Sequence, residues 1–475
     1  MSFLLLRTGL LSGALLATGC ATAPRDAGFA DVRASVDERI GQRVVWNRNS
    51  DDDRAAMEAV RELLQGELDA DAAVQVALLN NPELQATYEE LGVAQAELVQ
   101  AGLLANPIFE AEVKFHDGDA AFEGGVIADF LHIFQVPLRR RIAEDALEAA
   151  KLRVTGAVVD LAGDVREAFY TQQAAEQTLE LRRTVTEAAE ASYDFARRLH
   201  AAGNITDLEL AQERALYEQS KVDLARAETS VLDGRERLNV LMGLWGEDVE
   251  WILPERLPDL PDDAPEDLDD IERRAILASL DLAAARSDVS AAARRLGIER
   301  SFGLLPELEA GVSAEKESGE DWAAGPVLEL PIPLFDQGQA RTAAARSELA
   351  AARRRYVATA VRVRSAARQS RNRLLAARAM AEYHRQVIIP LRSEITQRTQ
   401  LQYNAMQVGA FQLLAARQAE IEAGVAYINA LRDYWIARNG LEQITSGRLP
   451  GFAPTGGGDA SAAGHTGAAR GEGGH

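Results

Sequence analysis

The chain has a single cysteine, Cys20, in 475 residues. That excludes an internal disulfide framework and any zinc site built from several thiolates. Aromatic residues are scarce at 6%, although 47% of the chain is hydrophobic. An alanine- and leucine-rich interior of this kind suits long, close-packed helices better than a β-sandwich. Basic residues are outnumbered, 51 Lys and Arg against 73 Asp and Glu, for a net charge of −22. An acidic body repels phosphate backbones, so nucleic acid is not an expected partner. Beyond the N-terminus there is no run of about 20 apolar residues, which excludes a helical multi-spanning membrane protein. A Gly-rich phosphate loop, a His-Glu-x-x-His pair and a nucleophile elbow are also missing. The six histidines, His116, His132, His200, His384, His465 and His475, are scattered and read as ordinary surface or lumen residues. No catalytic residue, cofactor or metal site is expected. At this length one compact core does not suffice unless the chain is elongated or repetitive.

The first twenty residues, MSFLLLRTGLLSGALLATGC, place one charge, Arg7, before an apolar run from Leu10 to Ala17. This reads as a secretory signal over 1–19, too short to remain as a spanning helix. Leu16-Ala17-Thr18-Gly19-Cys20 resembles a bacterial lipobox, in which the cysteine is lipidated and becomes the first residue of the mature chain. A buried structural thiol is the alternative for a lone cysteine, but its position after a signal core favours lipidation. Ala21 in place of Asp favours sorting to the outer membrane, where several acyl chains hold at about 0.8 kcal/mol per methylene.

Residues 20–70 form a polar, mixed, lipid-anchored segment with a helical stretch from Asp53 to Leu68. Helical periodicity starts at Asp71, is interrupted at Asn80-Asn81-Pro82 and ends at Asn106-Pro107. The period then becomes two. Phe109, Ala111, Val113 and Phe115 alternate with Glu110, Glu112, Lys114 and His116, which predicts a strand with one apolar and one wet face. Asp117-Gly118-Asp119 begins a turn, a second strand is expected from Gly125 to Val136, and Pro137 closes the hairpin. A long helix is expected to His200, with Leu147, Ala150, Val154, Val158, Leu161, Val165 and Phe169 on its apolar face. Ala201-Ala202-Gly203-Asn204 supplies a stop, and Thr206 or Asp207 caps the next helix, which runs to about Leu244. Residues 247–270, with four prolines, eleven acids and one arginine, form an extended acidic connector.

The same order then returns. A helix is expected over Leu268–Arg300, then a strand with Leu308, Ala310, Val312 and Ala314 alternating with Glu307, Glu309 and Glu315. A second strand holds Leu328, Leu330 and Ile332, a long helix covers Gln337–Ala405, and a break at Val408-Gly409 precedes a helix to about Gln443. Leu84 lies 198 residues before Leu282, and Pro107 lies 199 before Pro306. The chain therefore reads as a tandem duplication, with repeats over 71–246 and 271–446 and a disordered Gly-rich tail over 447–475. The helix over 337–405 carries fourteen arginines and three acids, which suits pairing between copies or simply a solvated face.

Each strand has roughly the length needed to cross a bilayer as a tilted strand. Four strands cannot close a barrel, and open sheet edges are not tolerated in lipid, so other copies of the chain must complete it. Two small periplasmic hairpins lying on the helices are the alternative.

At this point the residues resemble the TolC-like outer-membrane efflux protein family. The resemblance rests on Ala77-Leu78-Leu79-Asn80-Asn81-Pro82-Glu83-Leu84 and on Pro331-Ile332-Pro333-Leu334-Phe335-Asp336-Gln337-Gly338-Gln339. It rests also on Arg198-Leu199 with Gly203, Thr206 and Leu208, and on Tyr403-Asn404 with Gly409, Phe411, Leu413 and Leu414. It covers 71–446. Pro137-Leu138-Arg139-Arg140-Arg141 departs from it by lacking the usual glycine after the first hairpin. The resemblance implies a mainly α fold with a small β part, a trimer with a transmembrane β-barrel continued by a long periplasmic α-helical tunnel. It implies as partners a periplasmic adaptor and an inner-membrane transporter of RND type, with outer-membrane lipid around the barrel of a Gram-negative cell.

The implied function is a passive exit duct for small solutes in a tripartite efflux system. Glu110, Glu112, Glu307 and Glu309 would face the lumen. Gly203, Thr206, Leu208, Gly409, Phe411 and Leu414 would form the periplasmic tip that meets the adaptor, with both glycines in the left-handed conformation where the helices reverse. The heavy-metal cation branch is the nearest resemblance, and acidic wet faces agree with cation cargo. A duct for drugs or for type I protein secretion, and a structural periplasm-spanning coiled-coil lipoprotein, are the competing readings.

Overall fold

The computed structural model describes residues 26–116, 119–129, 131–262, 268–303, 308–316 and 321–450. Cys20, Glu307, the expected turn at Asp117-Gly118, His465 and His475 lie outside them. The first half runs α1 (Phe29–Ile40), α2 (Asp51–Leu64), α3 (Ala70–Asn80), α4 (Pro82–Gly102), β1 (Ile108–His116), β2 (Asp119–Asp129), α5 (Leu131–Ala201) and α6 (Asp207–Met242). The second runs α7 (Ile271–Ala278), α8 (Leu280–Phe302), β3 (Glu309–Lys316), β4 (Ala323–Glu329), α9 (Gln339–Tyr383), α10 (Ile389–Asn404) and α11 (Ala410–Thr445).

Two continuous rods set the shape. The 71 residues of α5 span about 107 Å at 1.5 Å each. On the other side α9 and α10 form a second rod through a π-helical turn at His384–Ile388. Pro390 explains that turn, because it offers no N–H and its ring crowds the carbonyl four residues back. Around these rods the wall is four helices wide at both levels. Next to the sheet the order is α4, α5, α8, α9; farther away it is α6, α5, α11 and α9–α10.

The main core lies where α1 to α4 pack on the middle of α5 and the end of α6. The expected apolar face of α5 is seen there: Leu147, Ala150, Val154, Val158, Val165 and Phe169 are buried. Helix α1, which periodicity did not reveal, adds Phe29, Val32 and Val36 to the same core. Phe29 meets Tyr88 edge-on at 5.0 Å and Trp46 at 5.6 Å. From Glu250 to Asp262 the expected connector carries no helix, and this stretch is strapped down. Trp251, Leu253, Leu257 and Leu260 are buried, Gln173 donates to the carbonyls of Pro254 and Arg256, and Trp435 donates to that of Pro258 at 2.8 Å.

Several boundaries differ from expectation, each for a local reason. Strand β2 ends at Asp129, and Leu131–Val136 is already helix, because the Asp129 carboxylate accepts from the Leu131 and His132 amides at 2.9 and 3.0 Å. Pro137 therefore sits inside α5, where it removes a single rung. Strand β4 stops at Glu329, so Leu330 and Ile332 fall beyond it, while Pro326 occupies the edge strand itself, where a missing donor is tolerated. The helix expected over Leu268–Arg300 is two helices hinged at Ser279, whose hydroxyl accepts from the Leu282 amide at 3.1 Å. Asn81 plays the same part between α3 and α4, accepting from the Leu84 amide at 2.9 Å. Helix α2 covers Asp51–Leu64 and starts on a Ser50–Asp53 capping box.

Candidate functional site

The four strands form one antiparallel sheet in the order β1-β2-β3-β4, with β1 and β4 as unpaired edges. Cross-strand partners share a face, so the register sorts the side chains. Phe109 opposes Val126, which opposes Val312, which opposes Pro326; Val113 opposes Phe122 on the same side. That face is apolar and uncovered, with Phe109 72% and Phe115 80% exposed. Among the described residues the sheet packs broadly on no helix, which is unlike hairpins lying on the bundle.

The opposite face is acidic. Glu110 and Glu112 lie there with Glu309 and Glu315, as the alternation predicted. The register adds three carboxylates that the sequence did not bring forward, Glu123, Asp129 and Glu329. They form two rows across the strands, Glu112–Glu123–Glu315 and Asp129–Glu309–Glu329. Lys114 bridges Glu112 at 3.2 Å and Glu123 at 3.0 Å, which softens only one row. Among the described residues no group of three or more His, Cys, Asp or Glu is arranged to hold a metal ion. The acidic face therefore supplies a diffuse field instead of a fixed binding site.

At the far end of the rods the chain reverses twice. After α5, Gly203 is left-handed at φ +74°, and Thr206 opens α6 with a capping box: its hydroxyl accepts from the Glu209 amide at 3.2 Å while the Glu209 carboxylate accepts from the Thr206 amide at 2.8 Å. Those hydrogen bonds hold the Glu209 carboxyl below the ordinary range. The second reversal corrects the expectation for Gly409. That glycine has φ −81° and ψ 168°, an extended N-cap that any residue adopts, and the left-handed position belongs to Met406 at φ +56°. Leu208 is 67% exposed on α6 and stands apart, whereas Phe411 and Leu414 line a cleft between the two hairpins. The six expected tip residues thus share one end of the molecule but not one surface.

No described helix is long and apolar enough to cross a membrane. What the geometry defines is an elongated helical wall carrying an amphipathic, open-edged sheet at one end. Residues 73–244 match the family described as outer membrane efflux protein, and the chain resembles the TolC-like outer-membrane efflux proteins. It is 22% identical over 394 residues to the cobalt-zinc-cadmium resistance protein CzcC of Cupriavidus metallidurans, covering 80% of this chain and 90% of that protein. Its fold is similar to that of the outer membrane protein VceC of Vibrio cholerae, with a TM-score of 0.67 at 15% identity, over 80% of this chain and 96% of that one. A membrane protein from Pseudomonas aeruginosa gives a TM-score of 0.68 at 19% identity, over 79% and 93%.

Proposed function

We propose that this protein is the passive outer-membrane exit duct of a tripartite efflux system, assembled as a trimer. The observation that carries the reading is the sheet: one face apolar, the other acidic, and both edges unpaired. A protomer cannot satisfy those edges in lipid, and three copies give twelve strands and a closed barrel. The wall supports the same closure. The outer side of α6 exposes Leu208, Ala211, Ala215, Val222, Ala225 and Leu232 at alternating three- and four-residue steps, with polar gaps at Glu218 and Thr229. That is the heptad pattern of an unpartnered coiled-coil seam. The opposite edge, α9–α10, exposes Tyr383, Val387, Leu391 and Ile395. From Gln339 to Asn404 it carries fourteen arginines and three acids, whereas α6 carries eight acids and five bases. An acidic edge and a basic edge on one protomer favour head-to-tail closure into a ring. The recurring element order supports a tandem duplication with repeats over 71–246 and 271–446.

In this reading the apolar sheet face meets lipid and the acidic face, with Glu110, Glu112 and Glu309, lines the lumen. Cys20 is the acyl anchor, and Gly203, Thr206, Leu208, Gly409, Phe411 and Leu414 form the end that meets a periplasmic adaptor. An inner-membrane transporter of RND type supplies the energy. The cargo is heavy-metal cations, supported by the acidic face and by the resistance named for the Cupriavidus relative. The duct is tested by reconstituting purified protein in planar bilayers. Stepwise cation-selective conductance is expected, and its absence sinks the duct. The cargo is tested separately with a deletion strain challenged by zinc, cobalt, cadmium, copper and lipophilic drugs. Sensitivity to the drugs alone ends the metal reading. Failure of wild type to incorporate labelled palmitate in its host ends the anchor.

A further inference from the structure

Between the α5–α6 hairpin and α10–α11 lies a cavity of about 620 Å3. It stays open because α6 barely touches α11. Its walls are apolar, built from Val185, Phe195 and Leu199 of α5, Leu216 of α6, and Phe411 and Leu414 of α11. One carboxylate is set among them. Glu213 is 7% exposed, and its Oε2 accepts from the Ser192 hydroxyl at 3.1 Å. No Lys or Arg of the described residues forms an ion pair with it.

The other charged groups at the cleft do not neutralise it. Arg182 of α5 is committed to Glu422 of α11 at 2.8 Å, and Arg417 of α11 donates to Gln400 at 3.1 Å. Glu209 of α6 and Glu420 of α11 add further negative charge, while Asp223 of α6 pairs with Arg226 at 3.5 Å; the cleft lining holds five carboxylates against two guanidinium groups. A buried carboxylate without a cation is costly, and the group relieves the cost by holding a proton or by gaining a partner. Burial pushes the Glu213 carboxyl above the ordinary range, outweighing the Ser192 hydrogen bond. A cation of matching shape would supply the missing partner.

We propose that this cleft binds a lipophilic monocation, an organic amine or related cation with an apolar ring body, whose charge sits against Glu213. The volume is that of a drug-sized ligand. The single deep carboxylate favours one small molecule over a helix of a partner protein, which would need a row of pockets along a groove. The occupant would touch both hairpins and so fix their separation. The inference concerns the helical wall and does not depend on which cargo passes through the lumen.

The full chain in lipid nanodiscs is titrated with rhodamine 6G, a lipophilic cation, and with neutral N-phenyl-1-naphthylamine, after subtracting dye uptake by protein-free nanodiscs. Saturable binding at one site per chain is expected. Glu213→Gln, which keeps the shape and the Ser192 hydrogen bond, should weaken rhodamine 6G by about tenfold and leave the neutral dye within about twofold. Ala188→Trp, placed on the accessible rim of the cleft, should weaken both dyes. Circular dichroism and oligomer mass check that each variant is folded. No saturable uptake, equal loss of both dyes in Glu213→Gln, unchanged rhodamine 6G affinity in that variant, or indifference to Ala188→Trp would each overturn the proposal.

Discussion

The two helix reversals provide a paired test of backbone strain at the tip. Gly203 and Met406 are both left-handed, at φ +74° and +56°, yet only one is glycine. A Cβ at Gly203 would meet nothing within 4 Å, so Gly203→Ala adds no clash, and its cost is the conformational penalty alone, about 1–2 kcal/mol. Met406 carries that penalty already and is almost fully solvent-exposed, so Met406→Gly recovers a similar amount with no packing lost. Gly409→Asp, by contrast, puts a favourable N-cap residue at an extended position where the nearest atom is the movable end of Gln412, and should be neutral or slightly stabilising. The assay is amide hydrogen exchange at the last turn of α5 and the first turns of α6 and α11. About 1 kcal/mol corresponds to roughly fivefold in local opening. Gly203→Ala should exchange several times faster, Met406→Gly several times slower, and Gly409→Asp no faster than wild type. Faster exchange in Gly409→Asp with no change in Gly203→Ala would refute the assignment of strain.

Arg448 ties the end of α11 to two other helices, contacting the Asp160 carboxylate through Nε at 2.9 and 3.0 Å and Asp281 through its other arm. Arg448→Ala leaves two partly buried carboxylates together and should cost about 2–3 kcal/mol, with Asp281→Asn in the same chain restoring part of it; calorimetry showing no loss would contradict this. Burial raises the Glu213 carboxyl, so the folded state binds that proton more tightly than the unfolded state. Its contribution is therefore most favourable below the ordinary glutamate value and declines as pH rises through the raised folded value. Glu213→Gln removes the decline, so its melting temperature should gain on wild type as pH increases, and a gain only at acid pH would contradict the sign. Asn81→Ala should cost more than Ser279→Ala, about 2 against about 1 kcal/mol. Both lose a helix cap, but Asn81 also donates to the Leu241 carbonyl at 2.8 Å; equal losses in urea titrations would refute the difference.

Local pattern alone determined the long helices, the two hairpins and the Thr206 cap. Each is set by neighbours within a few residues: the apolar step of three and four along α5, the strict alternation from Phe109 to Phe115, and the hydroxyl before Asp207. It also placed Glu110, Glu112 and Glu309 on wet faces, since period two needs no partner strand to be read. What it could not determine was where paired elements end, because that depends on the partner. Strand β2 stops at Asp129, opposite Glu309 where β3 begins, and its carboxylate captures the next helix. Only the register brought Glu123, Asp129 and Glu329 onto the acidic face. Helix α1 escaped notice because it is buried against α5 and, through Phe29, against Tyr88, both distant in sequence. The left-handed role passed from Gly409 to Met406 because the turn geometry, and not the residue type, decides which position reverses. The buried Glu213 looked like one acid among eight on α6 until α5 packed against it, since desolvation is a property of what packs against a side chain.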